Sequence, residues 1–360
     1  MIFRTTLLRE LAAAAAAIFF VLTGIVITML LVRLLGQAAS GAITSTGIAA
    51  LLGFAMLNYL PVLLSLTLFI AVLMTLTRSY RDSEMIVWFS SGMSLTQWIR
   101  PVLLFAAPLV IIIAALSLLL SPWAVENSEE VRRQMDSRND VTAISPGVFR
   151  ESRHAERVYF VEEVAGAANL VANVFVSSTQ HGRQGVMVAA RGFQETAENG
   201  DRFLVLLNGR RYEGEPGSKE YKVYEFERYA MRIETVESRA PRTPSTKSLA
   251  TIALLREPTP RNLAELSWRL GLPLATLILA LLAIPLSFVN PRAGRSMNLV
   301  LALLIYVAYS NLLSVTQAWI AQSRISPVAG LLGVHAVMLL LLAVLFYRRL
   351  MVFSLFRLVR

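Results

Sequence analysis

Cysteine is absent from the 360 residues, which excludes disulfides and thiolate chemistry and leaves the redox compartment unmarked. Histidine occurs only at His154, His181 and His335, too far apart in sequence to suggest a zinc or haem centre. No Gly-x-x-x-x-Gly-Lys-Ser/Thr stretch is present, so the chain carries no phosphate cradle for ATP. No Gly-x-Ser-x-Gly, His-Glu-x-x-His or intramembrane Asp pair is present either, and catalysis has no visible seat. Acidic residues are scarce outside the middle of the chain. Of 34 Lys and Arg and 24 Asp and Glu, residues 122–262 hold 20 of each, which leaves 14 basic against 4 acidic residues elsewhere. The net charge of +10 therefore belongs to the flanking parts, where short basic loops orient membrane spans. No basic patch is interleaved with aromatics, so nucleic acid is not expected as a partner.

What is abundant is apolar. Hydrophobic residues make up 55% of the chain and the mean hydropathy is +0.57. They lie in long, nearly uncharged runs: Leu11 to Val32, Ile48 to Thr77, Val102 to Leu120, Leu270 to Val289, Leu299 to Ile320 and Val328 to Tyr347. Each is long enough to cross about 30 Å of hydrocarbon as a helix. Pro61 and Pro108 should kink or tilt their helices, and Pro122-Trp123 marks the end of the third. A signal peptide with Gly36-Gln37-Ala38 as its cleavage site is the alternative reading of the first run, but its length favours a retained helix.

The basic residues orient these helices. With the N-terminus cytoplasmic, the inside pieces 1–10, 78–100, 290–298 and 348–360 carry Arg4, Arg9, Arg78, Arg81, Arg100, Arg292, Arg295, Arg348, Arg349, Arg357 and Arg360. The short outside loops carry only Arg33 and Arg324, which places both termini inside and the middle segment outside.

That middle segment reads as β. Runs at Arg157–Val161, Asn173–Ser177, Gly185–Ala190, Arg202–Leu207, Tyr221–Phe226 and Tyr229–Ile233 are separated by turn signals such as Asn199-Gly200, Asn208-Gly209 and Glu215-Pro216-Gly217. Many short strands at this spacing suggest a sandwich or jelly roll. A polar helix from about Glu126 to Arg138 leads in, and the proline-punctuated residues 239–261 lead back. The expected fold is an α-helical membrane protein with six transmembrane helices, three and three, around an inserted all-β, jelly-roll-like periplasmic domain. Its parts are 1–121 with a cytoplasmic loop at 78–100, then 122–262, then 263–360.

Three stretches resemble the lipopolysaccharide-export permease family of the LptF/LptG type. They are Leu31-Val32-Arg33-Leu34-Leu35-Gly36; Thr75-Leu76-Thr77-Arg78-Ser79-Tyr80-Arg81-Asp82-Ser83-Glu84-Met85 with Ser91-Gly92-Met93-Ser94; and Ala264-Glu265-Leu266-Ser267-Trp268-Arg269 running on to Ile284-Pro285-Leu286-Ser287-Phe288-Val289-Asn290-Pro291-Arg292-Ala293-Gly294-Arg295. The first leans towards the LptF branch. The resemblance implies a bacterial inner-membrane permease that pairs with an LptG-type partner as a heterodimer. A cytoplasmic ATPase dimer of the LptB type would drive it and a single-span periplasmic bridge protein of the LptC type would receive from it. Together they would extract lipopolysaccharide and pass it on through β domains. No cofactor is expected in this chain.

Five groups of residues are candidates for function. Arg33, at the outer end of the first helix, is either a headgroup anchor or a phosphate contact, since a guanidinium fork suits phosphate bidentately. Met29, one turn back, shares its face and suits acyl chains. In the 78–100 loop, Arg78, Arg81, Asp82, Ser83, Glu84 and Met85 form either a charge-balanced turn or, by the resemblance, a helix that docks in the ATPase. Ser83 is placed to cap a short helix from Glu84 to Phe89. Glu265 and Arg269, four apart with Glu first, form a structural pair on one helix face. His335 is intramembrane, yet no other ionisable residue lies at a span centre, so a neutral, packed histidine is expected and proton-driven transport is not supported. The competing functions are a membrane-anchored scaffold or sensor, for which the Asp-Ser-Glu loop has no use, and an intramembrane enzyme, which the missing ionisable residues oppose.

Overall fold

The computed structural model describes residues 2–39, 43, 47–142, 147, 149–151, 157–165, 170–180, 183–197, 202–214, 221–234, 245–288 and 297–350. The chain divides into two compact units, a helical one made of Met1–Arg133 with Pro244–Arg360, and a β unit of Gln134–Thr243.

In the helical unit, six helices among the described residues are long and apolar enough to cross a membrane. They are α1 (Ile2–Ala39), α2 (Ile48–Arg81), a continuous helix through α4 (Ile99–Ala115) into α5 (Ser121–Thr142), α7 (Pro260–Leu286), α8 (Met297–Ala321) and α9 (Pro327–Leu350). Two short helices complete the unit, α3 (Glu84–Ser90) and α6 (Thr251–Arg256). The central helix is α7, which packs on α2, α4, α8 and α9. Leu68, Phe69, Val72 and Leu76 of α2 meet Ala275, Leu279, Leu282 and Ala283 of α7 in one buried cluster. By contrast α1, among its described side chains, buries only Leu7, Leu11, Leu30 and Leu34 and exposes Phe20, Val21, Ile25, Met29 and Val32. A helix so apolar all round is at home in lipid or against another membrane helix.

The prolines account for the irregular backbone. The third apolar run does not end at Pro122-Trp123 as the sequence suggested. A π turn at Leu116–Leu120 carries α4 into α5, and the helix runs on to Thr142. Pro122 has no N–H for the carbonyl four residues back, that of Leu118. The Thr251 hydroxyl donates to that carbonyl instead. Pro273 inside α7 likewise frees the Arg269 carbonyl, which the buried Ser117 hydroxyl satisfies at 3.2 Å. Hydroxyl donors of this kind are what make prolines tolerable within membrane helices. The fourth helix also begins ten residues before its apolar run, because Pro260 occupies its first turn and the Thr259 side chain accepts from the Asn262 amide at 3.3 Å.

The β unit is a single antiparallel sheet in the order β1 to β6, each strand beside its sequence neighbour: Arg150–Glu151, Arg157–Ala165, Leu170–Gln180, Arg183–Thr196, Arg202–Gly214 and Tyr221–Glu234. Consecutive hairpins make an up-and-down meander, so the Greek-key crossings of a jelly roll are not seen among the described strands. Val161, Val171, Val174, Val176, Met187, Ala189, Leu204, Leu206 and Met231 bury one face.

One row of this sheet is unpaired in four successive ladders: Glu162, Asn173, Ala190, Asn208 and Glu227. Asn173 and Asn208 both take a left-handed backbone (φ 51°), and the Asn173 amide bonds the Glu162 carboxylate at 2.6 Å. Across the row the buried positions change parity, from 174, 176 and 178 to 171 in β3, from 187 and 189 to 192 in β4, and from 204 and 206 to 209 in β5. A slip of one residue in one strand would turn its apolar side outward. Here β3, β4 and β5 make the same shift in the same row, so their register survives and their buried face stays continuous. This crease corrects two expectations. Asn208-Gly209 is not a turn between strands but lies inside β5, and the two runs at 221–226 and 229–233 are one strand, β6, whose alternation breaks at the crease. The turn signals Asn199-Gly200 and Glu215-Pro216-Gly217 fall outside the described residues.

Candidate functional site

The loop between α2 and α4 folds around α3. α2 ends where the amides of Asp82 and Ser83 close on the Arg78 and Tyr80 carbonyls, at 2.9 and 3.2 Å. Ser83 then adopts a left-handed backbone (φ 62°), and α3 begins at Glu84 as expected. The expected cap is absent, because the Ser83 side chain makes no capping bond. A capping residue needs an extended backbone to reach back over the first turn, and Ser83 is spent on a tight corner instead.

Met85 points inward, buried beside Leu7, Leu11, Leu76 and Trp98, and so anchors α3 to the helical unit. The opposite face presents Ile86, Val87 and Phe89, of which Ile86 and Val87 are about two-thirds exposed (64% and 65%). A single turn of helix showing that much apolar surface next to a carboxylate marks a contact site. Glu84 is half-exposed, 3.8 Å from Arg78, whose guanidinium is held at 2.6 Å by Glu10 of α1. Arg81 and Asp82 pair at the surface at 3.4 Å. Glu10, Ile86, Val87 and Phe89 join the site beyond the residues that the sequence singles out. Glu10 is the lone acid of the α1 N-terminal turns, a usable signal, whereas which side of α3 is covered depends on packing.

Behind α3, Tyr80 stands edge-on to Phe288 at 5.4 Å and 6.3 Å from Phe89, and the Arg349 guanidinium lies 3.9 Å over the Phe288 ring. A push on α3 therefore meets the ends of α2, α7 and α9 through aromatic contacts.

The other candidates lie elsewhere. Arg33 and Met29 are exposed on α1, and among the described residues Arg33 has no ion pair or hydrogen bond. A guanidinium left free beside an exposed thioether suits an external amphipathic ligand. Glu265 and Arg269 do pair, at 3.0 Å, but both are buried rather than on an exposed face. His335 is buried between helices and shares a hydrogen bond through Nδ1 with the Tyr309 hydroxyl.

Residues 6–348 match the family described as lipopolysaccharide export system permease LptF/LptG. The chain belongs to that family. It is 28% identical over 348 residues to the lipopolysaccharide export system permease protein LptF of Escherichia coli (strain K12), covering 96% of this chain and 94% of that protein. The same figures hold for the LptF of Shigella flexneri. As an LptF/LptG permease it is a transport protein of the Lpt export system and not an enzyme, and the family implies the inner membrane.

Proposed function

We propose that this permease is the LptF-like half of an ATP-driven exporter that extracts lipopolysaccharide from the inner membrane and passes it, through its β unit, to a periplasmic bridge. In this reading both termini and α3 are cytoplasmic and the β unit is periplasmic, which agrees with the eleven-to-two bias of arginines across the short loops. The partners are an LptG-type permease against the exposed flank of the helical unit, an LptB-type ATPase dimer on α3, and an LptC-type bridge protein. The chain needs no cofactor of its own, because ATP is bound and hydrolysed in the ATPase.

The observation that carries the proposal is the geometry of α3. A short helix is anchored by buried Met85, turns Ile86, Val87 and Phe89 outward, starts with the half-exposed Glu84 carboxylate, and rests through Tyr80 and Phe288 on the ends of α2, α7 and α9. Such a helix accepts a rigid-body push from a partner and passes it to the bundle. Arg33 and Met29 supply a phosphate fork and an acyl contact on α1. The test is reconstitution of the co-purified complex in proteoliposomes. ATP-dependent release of lipopolysaccharide to a soluble acceptor is expected, and stable association with an ATPase but no lipid movement would refute the export role.

A further inference from the structure

Between α1 and α4 the helical unit carries an apolar groove of about 400 Å³. Leu8, Ala12 and Ala15, spaced four and three apart, form its α1 wall on one helix face. Leu104, Phe105 and Pro108 stand in the α4 wall. The groove opens outward: Leu104 is 46% exposed, and Ala12 and Pro108 are exposed with it. From Leu8 to Ala15 is about 10 Å along the helix, less than half of a hydrocarbon core about 30 Å thick, so the groove belongs to one leaflet. It lies at the end of the unit where α1 and α4 both begin, since Leu7 and Leu11 share a buried cluster with Leu95, Trp98 and Val102.

Two cations flank that end. Arg9 follows Leu8, and Arg100 stands one turn before Leu104 on the same face of α4. Side chains on a helix lean towards its N-terminus, which carries both guanidiniums to the polar end of the groove. Both are exposed, and among the described residues neither has an ion pair or hydrogen bond. Other charges at this end are satisfied. Glu10 holds Arg78 at 2.6 Å, and Arg81 meets Asp82 at 3.4 Å.

We propose that this groove is a binding site for an anionic phospholipid, with an acyl chain along Ala12 and Ala15 and the phosphate at Arg9 and Arg100. Three features select that occupant. The walls are wholly apolar and the mouth is basic, which matches a lipid with a charged head. A helix about 10–12 Å across takes up roughly 800–1,100 Å³ over the same 10 Å, so a partner span does not fit inside the groove. And basic pockets between helices at a membrane surface are where anionic headgroups bind, whereas an arginine that only orients a span needs no groove beside it. Arg33 lies about 36 Å from Arg9 along α1, so this site is separate from the lipopolysaccharide contact proposed above. The export reading enters only to name the leaflet, which is then the cytoplasmic one.

The test uses the complete chain in nanodiscs of phosphatidylcholine containing a little phosphatidylglycerol with a photoreactive group in its acyl chain. Labelling is expected along residues 8–15 and 104–109. Unlabelled phosphatidylglycerol should compete it away, and an equal amount of phosphatidylethanolamine should not. Arg9→Gln and Arg100→Gln should each lower the labelling about fivefold, and together about tenfold or more. Arg9→Lys with Arg100→Lys keeps the charge and should retain most of it. Ala12→Leu with Ala15→Leu fills the groove and should reduce labelling while both arginines remain. Equal labelling by phosphatidylcholine carrying the same group, or labelling unchanged in the double glutamine variant, overturns the proposal. So does displacement by lipopolysaccharide at the same concentration, which would make the groove a cargo site. So does capture of a partner protein in place of phospholipid by a photocrosslinker attached through Ala12→Cys in the assembled complex. The competition needs no variant and decides the matter where a substituted chain does not fold. None of these outcomes other than displacement by lipopolysaccharide bears on the export reading.

Discussion

Glu84 stands at the start of α3 with no intrahelical partner and with Arg78 already drawn towards Glu10. A carboxylate there favours the helix N-terminus and is free to accept a charge-assisted bond from a docking protein. Once covered by a partner, such a bond contributes about 1.5–3 kcal/mol. Glu84→Ala is therefore expected to weaken co-purification of the proposed ATPase or to uncouple hydrolysis from extraction, and Glu84→Arg to do so more severely, while lipid remains crosslinkable to α1. Wild-type association and extraction by Glu84→Arg would reduce Glu84 to a solvated residue. At the other end of the membrane, Arg33 is exposed on α1 beside Met29. Charge reversal near an interface costs little in insertion compared with the helix centre. Arg33→Glu should leave the folded protein at normal abundance and reduce lipopolysaccharide crosslinking to α1. Unchanged crosslinking together with unchanged growth on this single copy would sink the phosphate contact.

Among the elements, the sheet's crease makes the sharpest demand on sequence. Gly209 lies where an added Cβ would come within 2.5 Å of the Val188 carbonyl oxygen and of the Phe226 ring. A backbone oxygen cannot be moved as a flexible side chain can, so Gly209→Ala should destabilise the β unit by about 1–3 kcal/mol. Asn208, in the left-handed region, should tolerate Gly and resist Val, at a cost of about 1–2 kcal/mol. Trypsin cleavage of the β unit in the detergent-solubilised chain reports both. The expected order of resistance is wild type and Asn208→Gly, then Asn208→Val and Gly209→Ala, and equal resistance throughout would deny the crease its role. The same crease explains why hairpin signals misled at 208–209. Left-handed Asn followed by Gly is turn chemistry, and only the partner strands show it spent inside a ladder.

For the whole molecule, the chain's orientation decides whether the proposed function holds, since that reading puts the ATPase and the lipid acceptor on opposite sides of the membrane. Single-cysteine labelling suits a protein without native thiols. A cysteine at position 200 should react with an impermeant maleimide in cells whose inner membrane is intact, and one in α3 at Val87 only after that membrane is opened. The reverse pattern would invert the topology and remove α3 from the ATPase.

Six spans, their division around a polar insert, the β character of that insert and the α3 loop were all legible in the residues. Each follows from local rules: uninterrupted apolar length, alternation with period two, and spans nearly free of charge. The Glu265–Arg269 pair was legible too, because four residues make one helical turn. Its burial, its bonds to residues 246–251 and the hydroxyls of Ser117 and Thr251 beneath two prolines were not, for they join residues up to 152 apart. Which face of α3 is free and which strand absorbs an Asn-Gly were equally hidden. Periodicity states that a face is apolar, but whether protein or surroundings cover it depends on the helices packed alongside. A free carbonyl or a left-handed residue is likewise a local demand, and only the tertiary structure selects the distant side chain or strand that meets it.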